Sequence, residues 1–317
     1  MRINPKLSTP ALCILLSVVL CSISYSQGCS DAGFCTMGAM RPNQHYAKKI
    51  NLKLKSIEGG YYLGFTQFHD VLFSVLTDFN FALNPRTSFQ IKLPYNYING
   101  PLGTNQGLGD ISLSTTRNII NKEGFQVNLT AGGKVPTGNP TKKSVDDRPL
   151  PMYYQTTLGT YDIVFGVSLV SKNWLIAAGY QQPLNSVDNK FVWGAWNSSP
   201  LLETARNYPV SNSLERGSDI MLRIERNFRS SRFNTYIGLL PIYRINKDKI
   251  ISPQTGEKVE VKGSDGLALT ALYGFGYRFS VKTGIKLLIG VRIIQRDVNP
   301  DGLSRELVNA LTFEYRF

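Results

Sequence analysis

Histidine is nearly missing from this chain: His45 and His69 are the two in 317 residues. A hydrolytic centre built on histidine needs a serine and an orienting acid or amide around it. His69 has Asp70 beside it, but no pattern places a serine there, so a surface histidine is expected and no catalytic residue is assigned. Long apolar runs are equally scarce. After the first 26 residues there is no stretch of the ~18 apolar residues that read as a membrane-crossing helix. If the chain lives in a bilayer it must be a closed barrel, because every backbone group in lipid needs an internal partner. Gly107-Leu108-Gly109 is a lone Gly-x-Gly with no helical pattern after it, which excludes a phosphate loop. No cofactor motif and no metal site is assigned. Charged residues make up 18% of the chain, with a formal net charge of +13. The lysines and arginines are scattered instead of forming one run. A basic lumen, or contact with lipopolysaccharide phosphates, is expected, and nucleic acid is not.

The N-terminus reads as a secretory signal peptide over residues 1–26: Arg2 and Lys6 lead an apolar stretch from Ala11 to Ile23, and Ser24 and Ser26 sit at the small-residue cleavage positions. Neither Cys21 nor Cys29 fits a lipobox well. Of the four cysteines, Cys13 and Cys21 leave with the signal. Cys29 and Cys35 remain, and an oxidising periplasm favours a disulfide between them. The competing reading adds Met37, Met40 and His45 as soft donors for Cu(I). Residues 27–47 lack any period and form an N-terminal periplasmic segment, or a plug folded into a lumen.

What the chain has is alternation. Residues 48–58, 71–83, 87–97, 109–120, 125–135, 157–171, 174–183, 217–228, 232–245, 265–279, 285–297 and 306–317 all place apolar side chains on one face and polar ones on the other. That is the period of a strand. The segments have the ~9–11-residue length needed to cross a bilayer when tilted, longer than the ~5–6 residues usual in soluble sheets. The connections sort by parity. Those at 59–70, 98–108, 136–156, 184–216, 246–264 and 298–304 are long; those at 84–86, 121–124, 172–173, 229–231 and 280–284 are short. Up-and-down barrels have long external loops and short periplasmic turns. The fold class is therefore all-β: a transmembrane up-and-down antiparallel β-barrel of about twelve strands, residues 48–317, in the outer membrane of a Gram-negative bacterium, in contact with its lipid and lipopolysaccharide.

Alternation also assigns the lumen. Lys53, Lys92, Lys134, Arg223, Arg244, Arg278, Lys286, Arg292, Arg296 and Arg316 point inward, with Asp78, Asp110, Asp162, Glu225 and Glu314. Two readings stand side by side: a positive pore that prefers anions, or mutually paired charges filling a closed interior. In the longest loop, Phe191, Trp193 and Trp196 either fold inward as a constriction or pack on the rim.

The last strand carries Leu311, Phe313, Tyr315 and Phe317 on one face and ends on Phe317. In this it resembles outer-membrane barrels generally, and the resemblance implies that the barrel-assembly machinery reads Phe313, Tyr315 and Phe317. Gly107 to Thr115, with Leu93-Pro94-Tyr95 before it, resembles the outer-membrane transporter family linked to meta-pathway phenol degradation, similar in architecture to FadL-type channels. The resemblance implies a channel or transporter, not an enzyme, for a small hydrophobic or aromatic solute; the basic lumen adds a small anion as the other candidate. The Asn-Pro-Ala hatch motif of FadL-type channels is absent, and the Cys29–Cys35 segment departs from that pattern. A non-conducting barrel with a structural or binding role is the alternative, and an outer-membrane hydrolase ranks last.

Overall fold

In the computed structural model, residues 53–317 are described, together with Met37 and Met40. The signal peptide, Cys29, Cys35, His45 and the side chain of Lys53 lie outside the described residues. The strands are β1 (Lys53–Phe65), β2 (Val71–Asn84), β3 (Thr87–Gly100), β4 (Gly103–Leu108), β5 (Ile111–Lys122), β6 (Phe125–Val135), β7 (Asp162–Ser171), β8 (Trp174–Pro183), β9 (Asp219–Arg229), β10 (Phe233–Arg244), β11 (Lys249–Ile251), β12 (Lys258–Glu260), β13 (Gly266–Arg278), β14 (Thr283–Ile294) and β15 (Leu307–Arg316).

Each barrel strand pairs antiparallel with its neighbours, and the last pairs with the first. The seam between β1 and β15 runs in unbroken register from Ser56 opposite Arg316 to Phe65 opposite Leu307. β4 and β5 act as one strand. Both pair with β3, and the register slips by one residue at Gly109–Asp110, where the Gly109 N–H donates to the Pro94 carbonyl at 2.9 Å. Counted so, the barrel closes with 12 strands. Closure leaves no open edge, the condition for backbone in lipid.

Three expected connections are shorter or carry structure: β1 runs to Phe65, so the connection expected at 59–70 shrinks to 66–70. Residues 98–108 do not form a loop: β3 runs to Gly100, and β4 returns at once from Gly103, so the sheet extends above the membrane band as a tight hairpin. The 246–264 connection carries its own small hairpin, β11 with β12. The short turns at residues 85–86, 123–124, 172–173, 230–232 and 279–282 all lie at one end, and the connections after β6, β8, β10 and β14 are long; those after β1 and β3 shrink to residues 66–70 and 101–102, because these strands run on past the expected bounds.

The faces separate as alternation requires. Phe73, Val75, Tyr95, Leu129, Phe165, Ile220, Tyr273 and Phe313 point outward and are exposed, whereas Ser74, Asn128, Thr130, Ser168, Arg223 and Glu314 point inward and are buried. An outward band of this kind matches lipid. Aromatics gather at the short-turn end, where Phe233 and Tyr277 pack at 4.9 Å and Tyr315 and Phe317 at 5.1 Å. Arg226 lies 5.0 Å over the Trp174 ring. Amphipathic side chains of this kind anchor a barrel at the membrane interface.

Candidate functional site

The candidate site is the lumen and its external mouth. Ion pairs line the wall. Lys92 meets Asp78 at 3.7 Å, Lys134 meets Asp110 at 3.4 Å, and Arg223 meets Glu225 at 2.5 Å. Lys286 reaches Glu58 at 3.0 Å and Glu314 at 3.4 Å, and Arg316 holds Glu314 at 2.7 Å. Arg292 pairs with Glu306 at 3.3 Å. Of the two readings of the inward charges, mutual pairing is what this wall displays. Partners such as Glu58 and Glu306 lie on strands and loops that alternation alone does not bring together. Arg278 differs: it is exposed, with no ion-pair partner among the described residues.

At the external mouth the pairing becomes a network. Arg244 binds Asp219, Asp248 and Asp301, each at 2.8 Å. Arg216 binds Asp162 at 3.2 Å and Asp301 at 3.5 Å, and Arg296 approaches Asp301 at 3.8 Å. All seven side chains are buried. Burial alone would raise the Asp301 carboxyl, but Arg244, Arg296 and Arg216 outweigh it and hold it well below the usual carboxylate range. The network ties the ends of β7, β9 and β10 to the loops that carry Arg216, Asp248 and Asp301. Inward parity foretold Arg244, Arg296 and Asp162. Arg216, Asp248 and Asp301 sit in loops, where no period marks a face.

A lid covers the mouth. The connection between β6 and β7 turns inward at a 3-10 turn, Met152–Tyr154, whose three residues are all buried. Neighbouring loops hold it from several sides. The Tyr154 hydroxyl donates to Asp70 at 2.6 Å and receives the Leu102 N–H at 3.0 Å. Trp196 Nε1 donates to the Pro149 carbonyl at 3.0 Å, and Asn189 donates to the Leu150 carbonyl at 3.1 Å. Gly302, at φ +71°, passes close under it: a β-carbon there would lie 2.6 Å from the Tyr153 nitrogen. Tyr208, from the loop that also forms the helix α1 (Leu202–Arg206), donates to Asp70 at 2.7 Å. Asp70 is thus turned inward to two tyrosines and away from any use with His69, which is exposed at φ 66°. Burial pushes the Asp70 carboxyl up, against the hydrogen bonds of Tyr154, Tyr208 and Thr66 and the charge of Arg305.

The structure splits the three aromatics of the long loop. Phe191 and Trp196 are buried in one cluster with Tyr62, Leu72 and Ile98 from the inner faces of β1, β2 and β3; Trp193 is exposed but donates its indole N–H to the Tyr208 carbonyl at 2.9 Å. The loop therefore folds over the mouth. Asp70, Tyr154 and Tyr208 were not singled out from the sequence as a group, because they come from three separate connections. Met37 and Met40 are buried inside the barrel: a β-carbon on Gly132 would meet the Met37 methyl at 3.0 Å, and one on Gly166 the Met40 sulfur at 2.8 Å. Their thioethers serve as packing there.

No family model matches the sequence, and no curated protein matches it. Solved structures do. The fold is similar to an outer membrane channel from Pseudomonas putida F1, with a TM-score of 0.58 at 13% identity over 87% of this chain and 99% of that one. The NanC porin gives 0.46 at 9% identity over 84% and 99%. The toluene transporter TbuX of Ralstonia pickettii gives 0.38 at 10% over 90% and 92%. At such identities the likeness is one of fold, and the chain has the closed antiparallel β-barrel fold of an outer-membrane channel.

Proposed function

We propose that this chain is an outer-membrane channel for passive passage of a small solute, with an external mouth that its own loops open and shut. The observation that carries the reading is the lid over a polar lumen. The Met152–Tyr154 turn and the residues just before it are held by hydrogen bonds from separate loops, each worth about 0.5–3 kcal/mol net, so that few bonds separate the shut mouth from an open one. Where the charges of the wall are paired, it favours neither ion sign strongly. The aromatic cluster packed beneath the lid, with Tyr153, Tyr208 and Phe68 in edge and tilted contacts at 4.6–5.6 Å, would suit an aromatic or apolar solute once the lid opens. Buried Met37 and Met40 support a plug role for residues 27–47. The C-terminal Phe313, Tyr315 and Phe317 keep their proposed role as the assembly signal.

Purified protein in planar bilayers and in liposome-swelling assays tests the channel. Low conductance from wild type and a marked rise after Tyr154→Phe with Tyr208→Phe are expected. Silence from both, with the variant barrel intact by heat-modifiable electrophoresis, assigns the chain instead to a non-conducting structural or binding role.

A further inference from the structure

At the short-turn end of the barrel, opposite the lid, the inward charges do not balance. Arg229 ends β9 and Arg278 ends β13, both on the inward parity of their strands. β10 lies between them in register, with Asn234 opposite Arg229 and also opposite Gly276. Lys286 faces Gly276 on the other side, and the Glu314 and Arg316 of β15 follow. These side chains surround a cavity of about 230 Å³. Gly276 leaves its floor open, because a β-carbon there would meet nothing nearer than 3.7 Å.

The carboxylates near this cavity are already engaged. Glu225 is bound by Arg223. Glu314 is bound by Arg316 and Lys286, and Lys286 also holds Glu58. The lining of the cavity itself holds five cations, Arg229, Arg232, Arg278, Lys286 and Arg316, and one carboxylate, Glu314. Arg229 and Arg278 have no ion-pair partner among the described residues; each stands in the field of another arginine, Arg278 for Arg229 and Arg316 for Arg278, and feels a lesser pull from a carboxylate that is already ion-paired, Glu225 and Glu314 respectively. Holding like charges together costs energy unless an anion joins them. Two guanidinium groups around one small cavity present the planar donor forks that match an oxyanion.

The geometry points to an oxyanion subsite at the periplasmic mouth, in which Arg229 and Arg278 clamp a carboxylate or phosphate group. A charged recess of this kind raises the local concentration of its counter-ion. As an exit station for a solute the subsite rests on the channel reading; as a binding site it does not. The same chemistry serves a free small anion or the headgroup phosphate of a periplasmic-leaflet lipid.

Isothermal titration of the full barrel in lipid-free nonionic detergent with inorganic phosphate tests the binding itself, whatever the conductance. Saturable binding is expected, weakened at least tenfold in Arg229→Gln/Arg278→Gln and unchanged in Lys172→Gln, on another turn of the same rim. The charge-preserving Arg229→Lys/Arg278→Lys variant should retain part of the affinity, which separates lost charge from a lost fold. Phosphate binding that persists in phosphatidylcholine vesicles but disappears when phosphatidylglycerol is added supports the site with lipid as its occupant; persistence in both supports a free anion. No binding by wild type, or equal binding by the Gln double variant, overturns the proposal.

Discussion

The carboxylate of Asp70 accepts a 2.7 Å hydrogen bond from the hydroxyl of Tyr208, which lies 138 residues further along the chain. The two belong to different external loops and meet beneath the lid turn. Tyr208→Phe removes one hydrogen bond to a buried charged acceptor, a loss of about 1.5–3 kcal/mol. Since each 1.4 kcal/mol is a factor of ten, the open fraction should rise by about tenfold or more. Liposome-swelling rates measure it.

The same contact makes the lid sensitive to acid. Asp70 is raised above its ordinary value of 3.8 when buried, by desolvation, and an opened loop returns it to water. The closed state therefore binds the proton more tightly, and acid favours closure. Conductance should fall as pH drops through the raised value towards 3.8, with Tyr154, Tyr208 and Arg305 facing the group throughout. Asp70→Asn imitates the protonated form, so the variant should stay closed and lose this dependence. An unchanged pH profile in the variant would mean that another group governs the lid.

Arg244 anchors the other half of the mouth. Its guanidinium satisfies Asp219, Asp248 and Asp301 in a buried setting. Removing one partner from a buried charge network typically costs about 3–5 kcal/mol, because uncompensated charge stays behind. Arg244→Met should lower the thermal unfolding midpoint clearly, with little relief from salt, since buried pairs are poorly screened. Asp301 sits on the other side of the linkage from Asp70. Its folded value is depressed, so its stabilising share is full above 3.8 and lost only in stronger acid. The network should outlast the acid range in which Asp70 is neutralised.

How much of this the sequence disclosed depends on periodicity. Strands facing lipid on one side and a polar interior on the other write a period of two, so the faces of Phe73, Tyr95, Ile220 and Phe313 were legible. A bulge erases that record locally. The β1–β2 register shifts between Leu54 and Ser56, so Lys55 falls out of the alternation that Ser56 and Glu58 resume. The mouth was illegible for a different reason. Asp70, Tyr154, Tyr208, Arg216 and Asp301 lie in connections, and what unites them is proximity created by barrel closure. Arg244 was visible as inward, but the acids that neutralise it were not.

Gly166 supplies a test of the plug. Met40 lies against it so closely that an added β-carbon would stand 2.8 Å from the sulfur and 3.1 Å from its methyl. Gly166→Leu fills that seat. If residues 27–47 occupy the lumen through Met37 and Met40, the variant and a deletion of 27–47 should raise conductance to a similar level, and combining them should add little. Additive effects would separate the two sites.

Phe317 separates assembly from stability. It is outward-facing and 63% exposed, with Tyr315 as its ring neighbour at 5.1 Å. Phe317→Ala removes little buried surface, so refolded barrels should unfold at nearly the wild-type temperature. The amount inserted in the outer membrane of cells should nevertheless drop severalfold, measured by heat-modifiable electrophoresis of membrane fractions. Equal insertion would remove Phe317 from the assembly signal.

The seam offers a matched pair. Gly59 and Gly60 are neighbours on β1, paired with Phe313 and Thr312 of β15. A β-carbon on Gly59 meets nothing within 4 Å, whereas one on Gly60 would collide with the Leu311 carbonyl and lie 2.8 Å from the Thr312 Cα. The backbone there cannot retreat, because both strands are held by the ladder that closes the barrel. Valine suits a strand wherever it has room, and replacing glycine in a strand interior removes a cost of roughly 0.5–1 kcal/mol. Gly59→Val should therefore fold as well as wild type or slightly better. Gly60→Val should push β1 from β15 and leave two unpaired edges that lipid does not tolerate. The measurement is the fraction of heat-modifiable barrel after refolding in detergent. Equal yields from the two variants would show that the seam is not where closure is won or lost.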